Sequence, residues 1–143
     1  MREDPFDLDR FVMAQAPQYD IALAELMGGR KVTHWMWFIF PQLRGLGRSA
    51  MARRFGIDTV DEARAYIAHP VLGPRLRECV SAVLDCDEPD LQTVFGSPDD
   101  MKFISSMTLF SIATTAEDTL FSSALTKFTG GVQDARTLEL LAS

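Results

Sequence analysis

The sequence has 143 residues, 47% of them hydrophobic and 24% charged, which is typical of a globular protein and excludes a disordered or collagen-like chain. At this length one hydrophobic core suffices, so a single domain over residues 1–143 is expected. The net charge of -6 argues against nucleic acid as a partner, and no apolar run approaches the roughly 20 residues of a membrane span, so neither nucleic acid nor a membrane is predicted.

Helical periodicity organises the first third of the chain. Tyr19, Leu23 and Leu26 fall on one helix face, and Gly28 is expected to end that helix. The aromatic run at residues 33–40 has the length of either a buried strand or a buried helix. No second segment looks able to pair with it as a strand, so we predict a short central helix that is apolar on all sides.

The later helices are predicted from signals at their ends. Thr59 and Glu62 form a capping box that opens a helix, and this helix should end at His69. Ser97 is expected to cap a helix that runs to about Ala113.

Two more signals complete the predicted fold. An apolar stripe over residues 120–128 indicates a helix before Gly130, and Asp134 can cap a last short helix. The sequence therefore predicts an all-α fold, a compact single-domain bundle of six or seven short helices around a central aromatic helix.

The start of the chain, its cysteines and its histidines bear on location, disulfides and metal binding. Acids near the start, where a signal peptide would be basic, indicate a cytoplasmic protein. Cys79 and Cys86 belong to one predicted helix, about 10 Å apart along its axis, which is too far for a disulfide, and both are expected to be buried thiols. No metal site and no cofactor are expected, because His34 and His69 are the only histidines and do not form an i, i+4 pair.

A basic stretch is the most informative feature of the charge distribution. Residues 26–57 contain six Lys and Arg and no Asp or Glu, so this stretch is +6 and the rest of the -6 chain carries -12. Such a concentration indicates a localised anion site, although the same side chains are as well suited to pairing with acids from other helices.

Three groups of residues in or near this stretch are candidates for ligand contacts. Lys31, His34 and Trp35 would share one helix face if a helix began near Arg30, and would suit an anionic planar ligand. The alternative is that His34 bonds to backbone and Trp35 belongs to the core.

The second group is the glycine-containing loop at residues 41–49, with Gln42, Arg48 and Ser49. Its glycines would let backbone amides face a ligand, and Ser49 as the N-cap of the next helix would place a positive helix end there. A plain turn explains the same residues. The third group is Lys102 and Ser106, one helical turn apart; they would hold an anion between them, or Ser106 would simply permit close helix packing.

The sequence also resembles a bacterial family of unknown function, DUF1810, over about residues 6–141. The resemblance rests on Lys31, the run HWMWFIFPQL at 34–43, GLG at 45–47, Ser49, HPVLG at 69–73, and Lys102 with SSMTLF at 105–110. It implies a compact all-helical fold and no established activity.

We therefore predict a domain that binds a phosphate-bearing or nucleotide-like small molecule, as an enzyme or as a binding protein. Arg48 and Lys102 are expected to approach one pocket together with His34. The alternative is a non-catalytic protein-interaction module whose basic surface meets an acidic partner. The sequence does not predict an oligomeric state.

Overall fold

The computed structural model describes residues 4–87 and 90–142; residues 1–3, part of the acidic start, lie outside it. Helices form nearly all of the regular structure in this part of the chain. The ten α-helices are α1 Asp9–Gln15, α2 Tyr19–Met27, α3 Met36–Ile39, α4 Ala50–Phe55, α5 Val60–Ala68, α6 Leu72–Asp85, α7 Leu91–Phe95, α8 Asp99–Ala113, α9 Leu120–Thr129 and α10 Ala135–Ala142, with a 3₁₀ helix at Arg44–Leu46. The predicted all-α fold is confirmed.

The predicted count of six or seven helices is too low. Two helices that no sequence signal predicted, α1 and α7, have seven and five residues. Two turns or fewer carry too few apolar positions for a 3.6-residue period to stand out.

Helix α8 organises the core. It packs against α5, α7 and α9, and carries two fully buried aromatic residues, Phe103 and Phe110. The Phe103 ring lies 5.0 Å from the ring of Phe40 and 5.0 Å from that of Phe95, distances at which aromatic pairs stabilise a core beyond the area they bury. The aromatic segment before Pro41 is therefore central, as predicted.

The central helix itself is much shorter than predicted. Helix α3 begins at Met36, and the backbone before it is irregular. Tertiary hydrogen bonds hold this backbone in a non-helical course: the Lys31 N–H donates to the Val94 carbonyl, and the N–H groups of Val32 and Thr33 donate to the Glu25 carboxylate.

Most helix ends lie where the sequence predicts them. The side chains of Ser49, Thr59 and Asp134 each accept a hydrogen bond from a backbone N–H in the first turn of the helix that follows, and α8 ends at Ala113. The predicted cap by Ser97 is wrong, because Pro98 occupies the N-cap position and no side chain caps α8.

One buried arginine ties the N-terminal helix to the rest of the molecule. The Arg10 guanidinium donates five hydrogen bonds: to the carbonyls of Phe6, Asp7, Arg54 and Gly56, and to the Glu62 carboxylate at 2.9 Å. The side chains of Arg10 and Glu62 are only 10% and 3% exposed. We call this group the Arg10 clamp.

Helix length and thiol state complete the description. No helix in the described ranges is long and apolar enough to cross a membrane. Cys79 and Cys86 form no disulfide within the described residues; Cys79 is buried and Cys86 is half-buried, and burial raises the pKa of the Cys79 thiol to about 12, which keeps it protonated and unreactive.

Candidate anion-binding cleft

An open cleft of about 410 Å³ lies where three parts of the chain meet. These parts are the loop that leads into α4, the first turn of α8 and the first turn of α10. We call it the basic cleft, and its lining residues are Gln42, Leu46, Gly47, Arg48, Ser49, Ala52, Pro98, Met101, Lys102, Ser105, Asp134 and Arg136. Its volume is that of a small-molecule site.

Backbone hydrogen bonds fix the loop that forms one wall. The Ile57 N–H donates to the Gln42 carbonyl, and the Arg44 N–H donates to the Ile57 carbonyl, both at 2.9 Å, in an isolated parallel β-bridge. Position 47 requires glycine for steric reasons, because a Cβ atom there would lie 2.5 Å from the Cβ of Ala52. The loop is thus a rigid turn that presents Arg48.

Two arginines of the cleft have no ion-pair partner among the described residues. Arg48 and Arg136 form no ion pair or hydrogen bond through their side chains within the part of the chain that the structure describes, and both are exposed. They are 88 positions apart in the sequence, yet they line one concave surface. The cleft therefore carries uncompensated positive charge.

Lys102 is the third cation of the cleft. Its Nζ lies 3.5 Å from Asp99 Oδ1 and 5.6 Å from the centre of the Trp37 ring, and its side chain is 28% exposed. Asp99 also pairs with Lys31 at 3.0 Å, so one carboxylate serves two lysines. The charge of Lys102 is only partly balanced.

Asp134 is the one carboxylate that lines the cleft. Its N–H donates to the buried Thr108 hydroxyl at 2.9 Å, which ties the start of α10 to α8. Its Oδ2 accepts hydrogen bonds from the N–H and hydroxyl of Thr137, while its Oδ1 accepts none from any described residue. Asp134 thus contributes a carboxylate that is held in place to a cleft that three cations also line.

The structure brings together four of the residues predicted from sequence. Gln42, Arg48, Ser49 and Lys102 all line the basic cleft. The convergence of Arg48 with Lys102 is as expected, and Ser49 caps α4 through a 3.1 Å bond from the Ala52 N–H.

The first predicted group forms only in part: the Lys31 ammonium lies 5.3 Å from the centre of the Trp35 ring, but the predicted helix face is absent. Lys31, His34 and Trp35 precede α3 and share no helix face; Trp35 is fully buried, and its Nε1–H donates to Glu25. His34 is exposed and does not line the basic cleft, so its expected approach to Arg48 and Lys102 is wrong. Backbone hydrogen bonds around Glu25 explain the difference.

The sequence did not predict the role of Glu25, whose carboxylate accepts several hydrogen bonds from the segment before α3. Burial opposes its ionisation, but hydrogen bonds from the backbone of Thr33 and Val32, from Trp35 and from the Thr33 hydroxyl outweigh burial and lower the pKa of the Glu25 carboxyl to about 2. This carboxylate holds the segment before α3 in place.

The last predicted residue, Ser106, does not line the cleft. It is fully buried, and its hydroxyl has no hydrogen-bond partner among the described residues. Its neighbour Ser105 lines the cleft and donates to the Met101 carbonyl, the back-bonding expected of serine within a helix. A fully buried hydroxyl is closed to a ligand, so Ser106 does not complete an anion site with Lys102.

Arg136 is the main cleft residue that sequence analysis missed. It lies in the first turn of α10, where the positive end of the helix dipole disfavours a cation. A cation two residues after a predicted cap such as Asp134 is the signal that would have identified it.

The rest of the basic stretch divides between structural and free side chains. Arg44 pairs with Asp58 at 2.7 Å, whereas Arg53 is exposed and forms no side-chain ion pair among the described residues. No group of three or more His, Cys, Asp or Glu side chains within the described ranges could hold a metal ion.

Comparison with known proteins gives one family and one close structure. A model of the family described as "Protein of unknown function (DUF1810)" matches residues 5–141, which confirms the resemblance seen in the sequence. The crystal structure of the conserved hypothetical protein Rv1873 from Mycobacterium tuberculosis is 53% identical, with a TM-score of 0.94, over 98% of this chain and 99% of that chain. No curated protein matches the chain.

Proposed function

The chain belongs to the DUF1810 family, and we propose that it binds a phosphate-bearing small molecule in the basic cleft. Arg48 and Arg136 are the main anchors, and Lys102 is a secondary one. The observation that carries the proposal is the presence, on one concave surface, of two exposed arginines that have no ion-pair partner among the described residues. Guanidinium groups present paired N–H donors that match two phosphate oxygens, so each arginine can bind a phosphate in a bidentate manner.

The position of the cations on their helices supports the same function. Lys102 lies in the first turn of α8 and Arg136 in the first turn of α10, where the helix dipole disfavours positive charge by about 0.3–1 kcal/mol for each residue. A bound anion would interact favourably with both the cations and the helix ends. Asp99 and Asp134 offset part of this cost at the two helix starts, and a bound anion would offset more of it.

The proposal is one of binding. Ser49 is engaged as the cap of α4, and Ser105 donates to a backbone carbonyl, so neither hydroxyl of the cleft is paired with a base in the described part of the chain. The predicted cytoplasmic location belongs to this proposal, because phosphorylated metabolites are concentrated in that compartment.

A comparison of melting temperatures in phosphate and in chloride, at equal ionic strength, tests the proposal. A site-bound ligand at 100 times its Kd stabilises a protein by about 2.7 kcal/mol. We expect phosphate to raise the melting temperature of the wild type more than chloride does, and Arg48→Ala and Arg136→Ala each to lose most of this difference.

Arg53→Ala is the matched control, since Arg53 is an exposed, unpaired arginine close to Arg48 in sequence that does not line the cleft. Phosphate also stabilises proteins in general by exclusion from their surfaces, and this part should be the same in all four proteins. Equal responses in the wild type and the two cleft variants would contradict the proposal and favour an interaction module for an acidic partner.

A further inference from the structure

We infer that the basic cleft selects phosphate monoesters that carry hydroxyl groups, the class of phosphorylated sugars and polyols, and that Asp134 is the residue responsible. The inference rests on the proposed function. It starts from the open Oδ1 of Asp134, which no described residue uses, inside a cleft whose other charged side chains are cations.

A carboxylate in an anion site lowers the affinity for phosphate alone. Asp134 repels a phosphate group by its charge, so a cleft suited only to inorganic phosphate would be better without it. A hydroxyl group reverses this effect, because it donates a hydrogen bond to the carboxylate oxygen while the phosphate of the same molecule contacts the arginines. The cleft is therefore complementary to a molecule with both groups.

The position of Asp134 is fixed before any ligand binds. Its backbone is held by Thr108 and its Oδ2 by Thr137, so Oδ1 does not need to be ordered at the moment of binding. Preorganised acceptors bind more tightly than mobile ones because less conformational entropy is lost.

The surroundings of Asp134 disfavour a second phosphate. Asp134 and Met101 also line an adjoining cleft of about 340 Å³ that contains Asp90 and Asp100. A diphosphate or polyphosphate that extends from the arginines past Asp134 would meet these carboxylates. The exposed thioether of Met101 and the side chain of Leu46 offer apolar surface instead, which suits a carbon skeleton.

Calorimetric titration with ribose 5-phosphate, methyl phosphate and pyrophosphate tests the inference on the wild type and on Asp134→Asn. The asparagine side-chain oxygen still caps α10, so the fold should be kept, and an unchanged melting temperature verifies this. We expect the wild type to bind ribose 5-phosphate about tenfold more tightly than methyl phosphate, the value of one good hydrogen bond to a charged group. In Asp134→Asn the preference should largely disappear, and methyl phosphate should bind at least as tightly as before.

Three results would overturn the inference while the proposed function stands: equal affinities for the two esters in the wild type, an unchanged preference in Asp134→Asn, or tightest binding of pyrophosphate. Absence of binding by all three compounds would instead overturn the proposed function. The two failures are thus distinct.

Discussion

The Arg10 clamp and the basic cleft use the same kind of side chain in opposite ways. Arg10 is buried and has five hydrogen-bond acceptors, including the Glu62 carboxylate, whereas Arg48 and Arg136 are exposed and have none among the described residues. A buried charge must be compensated by the protein itself, but an exposed one in a cleft can be compensated by a ligand. The difference separates arginines that maintain the fold from arginines that are available for binding.

The largest effect is expected from breaking the clamp. Arg10→Met removes the guanidinium and leaves the buried Glu62 carboxylate without its partner, which should lower the free energy of unfolding by about 3–5 kcal/mol. Urea denaturation followed by circular dichroism measures this. Arg48→Met is the comparison variant and should stay within about 0.5 kcal/mol of the wild type. A loss of similar size in both variants would remove the distinction between the two regions.

A second, intermediate effect is expected at the Glu25 carboxylate. As in the Arg10 clamp, protein groups satisfy this charge, since both Glu25 oxygens accept hydrogen bonds. Glu25→Gln should cost about 1.5 kcal/mol at pH 7, the lower end for hydrogen bonds to a charged group because this one is partly exposed. The folded-state pKa of Glu25 is lowered to about 2 from 4.5, so the stabilisation is present above pH 4.5 and is lost as the pH falls towards 2.

Denaturation of the wild type and Glu25→Gln between pH 2 and pH 7 checks this dependence. The difference in stability between them should be constant above about pH 5 and should shrink below it. Glu117→Gln serves as the control, since Glu117 is exposed and makes no hydrogen bond or ion pair with a described residue. A difference that does not change with pH would show that Glu25 acts through its shape and not its charge.

The smallest effect has the opposite sign. Arg136→Ala removes a cation from the first turn of α10 and should raise the free energy of unfolding by about 0.3–1 kcal/mol at low salt. Arg53 lies in the last turn of α4, where the dipole favours a cation, so Arg53→Ala should lower stability slightly. Calorimetry at low and high salt measures both changes, which screening should reduce. A loss of stability in Arg136→Ala would mean that Arg136 supports the fold, contrary to its assignment to the cleft.

Local features of this fold were predictable from sequence, and features that depend on tertiary contacts were not. The caps by Ser49, Thr59 and Asp134 involve residues within three positions of each other, so the sequence carries the whole signal. The longer helix considered for this segment, with a start near Arg30, does not form because the Glu25 carboxylate accepts hydrogen bonds from the N–H groups of Val32 and Thr33, and nothing in the local sequence indicates that contact.

The candidate site was predictable only in part, for the same reason. The acid-free stretch identified Arg48, because charge distribution is visible in a sequence. It did not separate Arg48 from Arg44, which pairs with Asp58, since pairing depends on which helices become neighbours. Arg136 comes from the other end of the chain, and it reaches the cleft because α10 packs against both α8 and the 3₁₀ helix at Arg44–Leu46.

The packing of α10 has a consequence for how this family can diversify. The helix has eight residues, of which only Thr137 is buried, although it supplies Arg136 to the cleft and is preceded by Asp134. Substitutions at its cleft-lining positions therefore change the chemistry of the cleft at small cost to the core, which α8 and its aromatic neighbours build separately. On the proposed function, exchanging α10 between family members is expected to change which ligand the cleft prefers while the rest of the architecture is kept.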